Sequence, residues 1–307
     1  MIPSDNNIYA LNGAAVGDLI AAAPFVKYAV TKCHERSDYR VALLPDFRDI
    51  FHFVPTSKII PLSDTYDAKF AVRKLNTDGG GGNVTRLTPS RLKLTDYASI
   101  GLLGRILPPE ESKYVPLQTV DISHFGIDFT QCAIFITTYR DITRAWLGDE
   151  IIKTAEYVRD QGLTPVFVGR KGAISIWKTL AVSDFEYPGF GYDLVDKTSL
   201  RELYTIMSQS AVIFGMDSGP LHLAYATDVP VIGGFTTVRP ELRVPYRGPT
   251  AQSISVDANI NCQFCQSDWN LDFHNFTACP KHMKKPRCTI KTTADLFIDA
   301  FKKVRFD

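Results

Sequence analysis

Short apolar runs alternate with helix-length segments along most of the chain, and this rhythm constrains the fold more than any other feature. Ile8-Tyr-Ala-Leu11 ends at Asn12-Gly13 and reads as a first strand meeting a turn. Helix signals follow from Gly17-Asp18, with Pro24 either kinking the run or marking the start of its main part. Arg40–Leu44 and Lys58–Pro61 read as the next two strands, and residues 94–107 as a helix. A second series begins at Cys132–Ile136. It continues with a helix over 149–161, strand Pro165–Val168, a helix over 198–209, strand Ala211–Phe214, a helix over 219–227, strand Pro230–Gly233 and a last helix over 293–304. Strands joined through helices run parallel, so each series implies an α/β domain. At 307 residues the chain has room for two of them. We place one over 1–125 and the other over 126–307.

Composition removes several classes. Hydrophobic residues are 45% and charged residues 22% of the chain, the balance of a globular protein. A net charge of +1 gives no global field toward nucleic acid or anionic membrane, so any anion site must be local. No apolar run approaches the ~20 residues of a membrane span. Met1-Ile-Pro-Ser-Asp5 lacks the basic and apolar regions of a secretory signal, so a cytoplasmic protein without integral membrane association is expected.

Two strand–turn–helix junctions carry the candidate chemistry. In Gly215-Met-Asp-Ser-Gly-Pro-Leu-His-Leu-Ala224 an apolar strand runs into a polar turn and a helix. Asp217 or Ser218 suits the cap and Pro220 the first turn, while the exposed amides and His222 suit an anion. An ordinary capped helix with a surface histidine is the plain alternative. In Leu11-Asn-Gly-Ala-Ala-Val-Gly-Asp18 the small residues let a ligand approach the backbone, and Asp18 lies near the carboxyl end of the first strand, where open α/β sheets bind ligands. The pattern is not G-x-G-x-x-G, which argues against a dinucleotide site. Asp18 is equally read as a helix cap.

Gly13–Pro24 resembles the N-terminal signature of the heptosyltransferase-like glycosyltransferases, glycosyltransferase family 9. Asp217–Ala226 followed by Val229-Pro-Val-Ile232 resembles their C-terminal donor-site signature, and Thr198–Leu203 sits where that family has a similar helix. The resemblance implies a GT-B fold of two facing Rossmann-like domains with parallel sheets. It further implies a nucleotide-sugar donor held by the C-terminal domain, and inversion at the anomeric carbon with no cofactor for catalysis. Carried over, Asp18 matches the catalytic base, and Asp217, Ser218, Gly219 and His222 match the diphosphate-binding turn. Arg144, in Thr143-Arg-Ala-Trp146, stands where the family usually has lysine; a guanidinium also clamps phosphate. Gly13 and the basic stretch with Arg86, Arg91 and Lys93 are assigned to an anionic acceptor.

Two features remain. Cys262, Cys265, Cys279 and Cys288 start as C-x2-C and suggest a four-thiolate structural zinc site in segment 262–288, with His282 as a substitute ligand and free thiols or a disulfide as alternatives. Residues 73–93 contain Gly79 to Gly82 and read as a mobile basic loop. The acceptor divides into two readings: the lipopolysaccharide inner core, by family analogy, or hydroxymethylated bases of phage DNA, with Tyr97 as an aromatic wedge. A nucleotide-sugar epimerase and a non-catalytic nucleotide-sugar binder are the other classes carried.

Overall fold

The computed structural model describes residues 7–11, 16–33, 39–62, 70–71, 92–139, 142–173, 180–181, 183–268 and 279–306. The chain divides into two compact units, one of residues 1–118 with 245–248 and the other of residues 119–244 with 249–307. Each is built on a parallel sheet, as the alternation of strands and helices requires.

The first unit holds β1 (Asn7–Ala10), β2 (Tyr39–Leu43), β3 (Ile59–Pro61) and β4 (Phe70–Ala71) in the order β3-β2-β1-β4, all parallel. The Leu11 amide donates to the Ala42 carbonyl at 2.9 Å and prolongs the β1–β2 ladder. Helix α1 (Val16–Tyr28) buries Leu19, Ile20, Phe25 and Val26 together with Ala21, Ala22 and Ala23, whose small side chains suit close packing against its neighbour α2 (Leu94–Leu103). Pro24 lies inside α1 and does not start it, and the helix continues into a π turn at Ala29–Cys33. Gly104, in the left-handed region at φ 70°, ends α2 by donating to Ile100, so the helix is shorter than the 94–107 expected. The basic loop, apart from its last two residues, lies outside the described residues.

The second unit is a six-stranded parallel sheet. Its strands are β5 (Cys132–Ile136), β6 (Thr164–Val168), β9 (Tyr192–Asp193), β10 (Val212–Met216), β11 (Val231–Gly234) and β12 (Ser253–Val256). A small antiparallel pair, β7 (Gly172–Ala173) with β8 (Leu180–Ala181), stands apart from it. The order is β12-β11-β10-β5-β6-β9. The chain therefore builds outward from β5 through β6 to β9, returns to the centre, and builds the other way from β10 to β12. A doubly-wound sheet opens a crevice at the carboxyl ends of the two strands where this reversal occurs, here β5 and β10.

Beneath that point lies the core. Phe135 of β5 stacks on Phe214 of β10 at 4.8 Å, and Trp146 stacks on Phe297 of α8 (Ala294–Phe301) at 3.9 Å. Each such buried side chain contributes roughly 1.5–3 kcal/mol by leaving water, and aromatic pairing adds about 0.5–1.5 kcal/mol. Helix α3 (Gly148–Asp160) packs on α8, with the Glu150 carboxylate accepting from the Ala294 amide at 2.7 Å. Helix α4 (Leu200–Gln209) starts on a complete capping box made by Ser199 and Glu202. Among the described residues no helix is long and apolar enough to cross a membrane.

Candidate functional site

Three neighbouring strands of the second unit deliver the site. The segment after β5 carries Arg144, in a single 3₁₀ turn over Ile142–Arg144. The segment after β10 carries Asp217 and Ser218 and the short helix α5 (Gly219–Ala224) with His222. The segment after β11 carries Thr236, Thr237 and Arg243. All leave the carboxyl ends of adjacent strands, so sheet order alone brings them together. Trp146, locked in the core two residues after Arg144, fixes where the first segment returns to the sheet. Gly148 then begins α3; a β-carbon there would lie 2.8 Å from the Asp184 carbonyl oxygen, and its amide donates to the Asp184 carboxylate at 3.1 Å.

Asp217 is the centre of the arrangement. Its carboxylate is almost wholly buried and meets the Arg144 guanidinium at 3.4 Å, the Arg243 guanidinium at 3.5 Å and His222 Nε2 at 3.6 Å. Burial by itself would push this carboxyl up. Arg144, the hydrogen bond from His222 and Arg243 outweigh it and hold the group well below the usual carboxylate range. The cluster therefore brings two guanidiniums and an imidazole together around one carboxylate, side chains of the kind that bind an anion.

The expectation of an ordinary capped helix is not met. Ser218 takes the N-cap position of α5 without a side-chain cap hydrogen bond. Its hydroxyl, the Thr237 hydroxyl and the Gln266 side-chain nitrogen are all buried with no hydrogen-bond partner among the described residues. Buried polar groups are rarely left so. His222 is also not a surface residue: it is 5% exposed.

The structure thus gathers Arg144, Asp217, Ser218, Gly219 and His222 and adds Arg243, which the sequence reading missed. Arg243 follows a 3₁₀ turn (Pro240–Leu242) and no strand-to-helix motif, and Arg239, Glu241 and Arg247 surround it in the sequence, so no local pattern singled it out. Asp18 lies in the first turn of α1, half-buried, in the other unit. Lys93 precedes α2 and does not cap it by its side chain. Gly13, Arg86 and Arg91 lie outside the described residues. Tyr97 is buried inside α2 at 2% exposure, so it is no wedge for a base stack.

The four cysteines of segment 262–288 converge. Cys262, Cys265, Cys279 and Cys288 line one small cavity of about 10 Å³ together with Thr143 and Thr237. Burial first, then the neighbouring Cys288 and Cys279, push the Cys265 thiol up to about 11, and burial raises Cys288 as well. Among the described residues no three His, Cys, Asp or Glu side chains close into metal-holding geometry. A set of four thiols nonetheless matches tetrahedral S₄ chemistry, which selects zinc or iron.

The model of glycosyltransferase family 9 (heptosyltransferase) matches residues 117–271, a span that contains Arg144, the Asp217–His222 turn and Arg243. The chain belongs to glycosyltransferase family 9. Among curated proteins it is 31% identical, over 99 residues, to the autotransporter heptosyltransferase TibC of Escherichia coli O78:H11 (strain H10407 / ETEC). That match spans 31% of this chain and 22% of TibC, so the chain aligns with about a fifth of that relative's length. Solved family-9 structures share the fold. The dodecameric iron-containing heptosyltransferase TibC in complex with ADP-D-beta-D-heptose superposes with a TM-score of 0.71 at 17% identity, covering 99% of this chain and 77% of that one. E. coli ADP-heptose lps heptosyltransferase II gives 0.56 at 12% identity, covering 82% and 90%. The GT-B class expected for this family-9 chain is the fold observed.

Proposed function

We propose that the chain is an inverting glycosyltransferase that moves a sugar from a nucleotide donor to an acceptor hydroxyl. The observation that carries this is the buried cluster of Arg144, Arg243, His222 and Asp217 at the strand-order reversal, with unpaired buried hydroxyl and amide groups beside it. Donors of this shape bring a diphosphate, and two guanidiniums held at the mouth of the crevice are matched to it.

In the proposed reaction the Asp18 carboxylate takes the proton of the acceptor hydroxyl as its oxygen bonds to the anomeric carbon. The bond from that carbon to the diphosphate breaks, and its electron pair leaves with the nucleoside diphosphate. Arg144, Arg243 and the amides at the start of α5 meet the charge that develops there. Asp217 does not touch the donor in this scheme; it holds the two guanidiniums in place.

The donor expected by family is an ADP-heptose, since TibC binds one. The acceptor assigned is anionic and lies with the first unit, through Gly13, Arg86, Arg91 and Lys93, as for the lipopolysaccharide core. A polypeptide acceptor is a second reading, favoured by the 31% identity to a heptosyltransferase of autotransporters. The buried position of Tyr97 removes the aromatic contribution on which a DNA acceptor relied. We further propose that Cys262, Cys265, Cys279 and Cys288 hold a structural zinc or iron ion that has no part in the chemical step.

Incubating the protein with ADP-heptose and other nucleotide sugars, with and without lipopolysaccharide core or polypeptide acceptors, and following nucleoside diphosphate release tests the reading. Acceptor-dependent release supports it. Binding of a nucleotide sugar without release or transfer would leave a non-catalytic binder, and release of an isomerised nucleotide sugar an epimerase.

A further inference from the structure

The cysteine segment grips the same loops that form the donor site. Following Cys262, the Gln263 side chain donates to the Phe235 carbonyl at 2.7 Å, the Phe264 amide to Thr236 at 2.8 Å and the Gln266 amide to Thr237 at 2.9 Å. Thr236 in turn donates its hydroxyl to the Thr143 carbonyl at 2.6 Å, next to Arg144. From the other end of the segment, Thr289 of α7 (Arg287–Lys291) donates to the Ile142 carbonyl at 2.8 Å. Thr143 itself forms part of the wall of the cysteine cavity. The turn that presents Arg144 is thus held on one side by Thr289, next to Cys288, and on the other by Thr236, itself held by Phe264 next to Cys265.

One side chain completes the connection. Gln266, directly after Cys265 and 1% exposed, accepts from the Arg144 guanidinium at 3.4 Å through its side-chain oxygen. This fixes the face of Arg144 not turned to Asp217. A long flexible side chain loses rotamer freedom when it binds, and pre-ordering removes that cost from the ligand.

We propose that Gln266 is a positioning residue for Arg144, and that through it the state of the cysteine segment sets the affinity of the site for the donor's diphosphate. The inference rests on the donor-site reading above. It assigns the segment a role in binding beyond holding the unit together.

The test is a double-mutant cycle on nucleoside diphosphate binding by titration calorimetry, using ADP, GDP and UDP with wild type, Gln266→Met, Arg144→Ala and the double variant. Methionine keeps the volume and removes the acceptor. Gln266→Met should bind roughly tenfold more weakly, the equivalent of one hydrogen bond to a charged group, with its melting temperature and metal content near wild type. In the Arg144→Ala background the same change should have no further effect. Unchanged affinity in the single variant, or a loss that adds in full to that of Arg144→Ala, would overturn the proposal. If Gln266→Met does not fold, Gln266→Leu, which also removes the acceptor, carries the same cycle with the same two outcomes. Wild-type protein that binds none of the three nucleotides overturns the donor reading itself, and the inference with it.

Discussion

Replacing Asp217 by asparagine is the sharpest perturbation available. The side chain keeps its shape and loses the charge that sits between Arg144 at 3.4 Å and Arg243 at 3.5 Å. At an effective dielectric of about 20, each contact is worth about 5 kcal/mol in gross attraction, much of which only offsets the cost of burying the charges. Removing one partner from a buried pair costs about 3–5 kcal/mol, because the remaining charge stays uncompensated. Arg144 retains 20% exposure, so the lower figure applies. For a unit of this size about 3 kcal/mol corresponds to a fall of roughly 6–12 °C in melting temperature. The pH dependence follows from the direction of the shift. The folded carboxyl lies below its unfolded value, so its stabilisation is fully present above about pH 4 and is lost as pH falls through the folded value. Scanning calorimetry from pH 3 to 8 should give a wild type whose midpoint is insensitive to this group from pH 5 to 8 and drops below about pH 4. The variant should start lower and lose part of the acid limb. Added phosphate or ADP should restore the variant more than it raises the wild type, since the two guanidiniums then gain an anion. Equal midpoints at pH 7 would refute the view of Asp217 as the counter-charge of the site.

Other expectations are simpler. Asp18→Asn should lower transfer by about 10²–10⁴-fold while donor affinity stays within a few-fold; near-normal turnover would reduce Asp18 to a helix-start acid. Protein purified without chelator should carry about one zinc or iron per chain, read by elemental analysis, and Cys265→Ser should lower both metal content and melting temperature; metal-free protein of equal stability would count against the site. Neutralising Arg86, Arg91 and Lys93 together should raise the acceptor KM and flatten its salt dependence, leaving nucleotide binding unchanged; identical salt curves would separate the loop from the acceptor.

Much of the fold is legible because the parallel strands are buried on both faces and read as continuous apolar runs. Cys132–Ile136 and Thr164–Val168 show this directly. The edge strands escape notice for the opposite reason. Ser253–Val256 alternates polar and apolar residues on a half-covered edge, and Tyr192–Asp193 is too short to leave any pattern. Without those two the sheet reads as narrower than it is, although β5 and β10, which flank the crevice, are both visible. The Asp217–His222 turn is local and therefore visible. One of its counter-ions is not: Arg243 belongs to the segment after β11, and its approach to Asp217 exists only once β10 and β11 are side by side. The cysteines suggest a metal knot by number and spacing. That their neighbours brace the Arg144 turn depends on hydrogen bonds between segments more than a hundred residues apart in the chain, which local spacing does not encode.

The reversal of strand order also bears on how such a protein can be altered. The segments after β5 and β10 leave neighbouring strands and head to opposite sides of the sheet, so the gap between them comes with the topology and removes nothing from the aromatic core beneath. Recognition is written in the connections and stability in the layers below. Residues 235–243 and 262–268, already joined by their own hydrogen bonds, form a cassette on that rim. Transplanting the pair as one piece between members of the family should exchange donor preference and leave the melting behaviour of the recipient sheet largely intact, whereas moving either alone would break the hydrogen bonds that join the two segments.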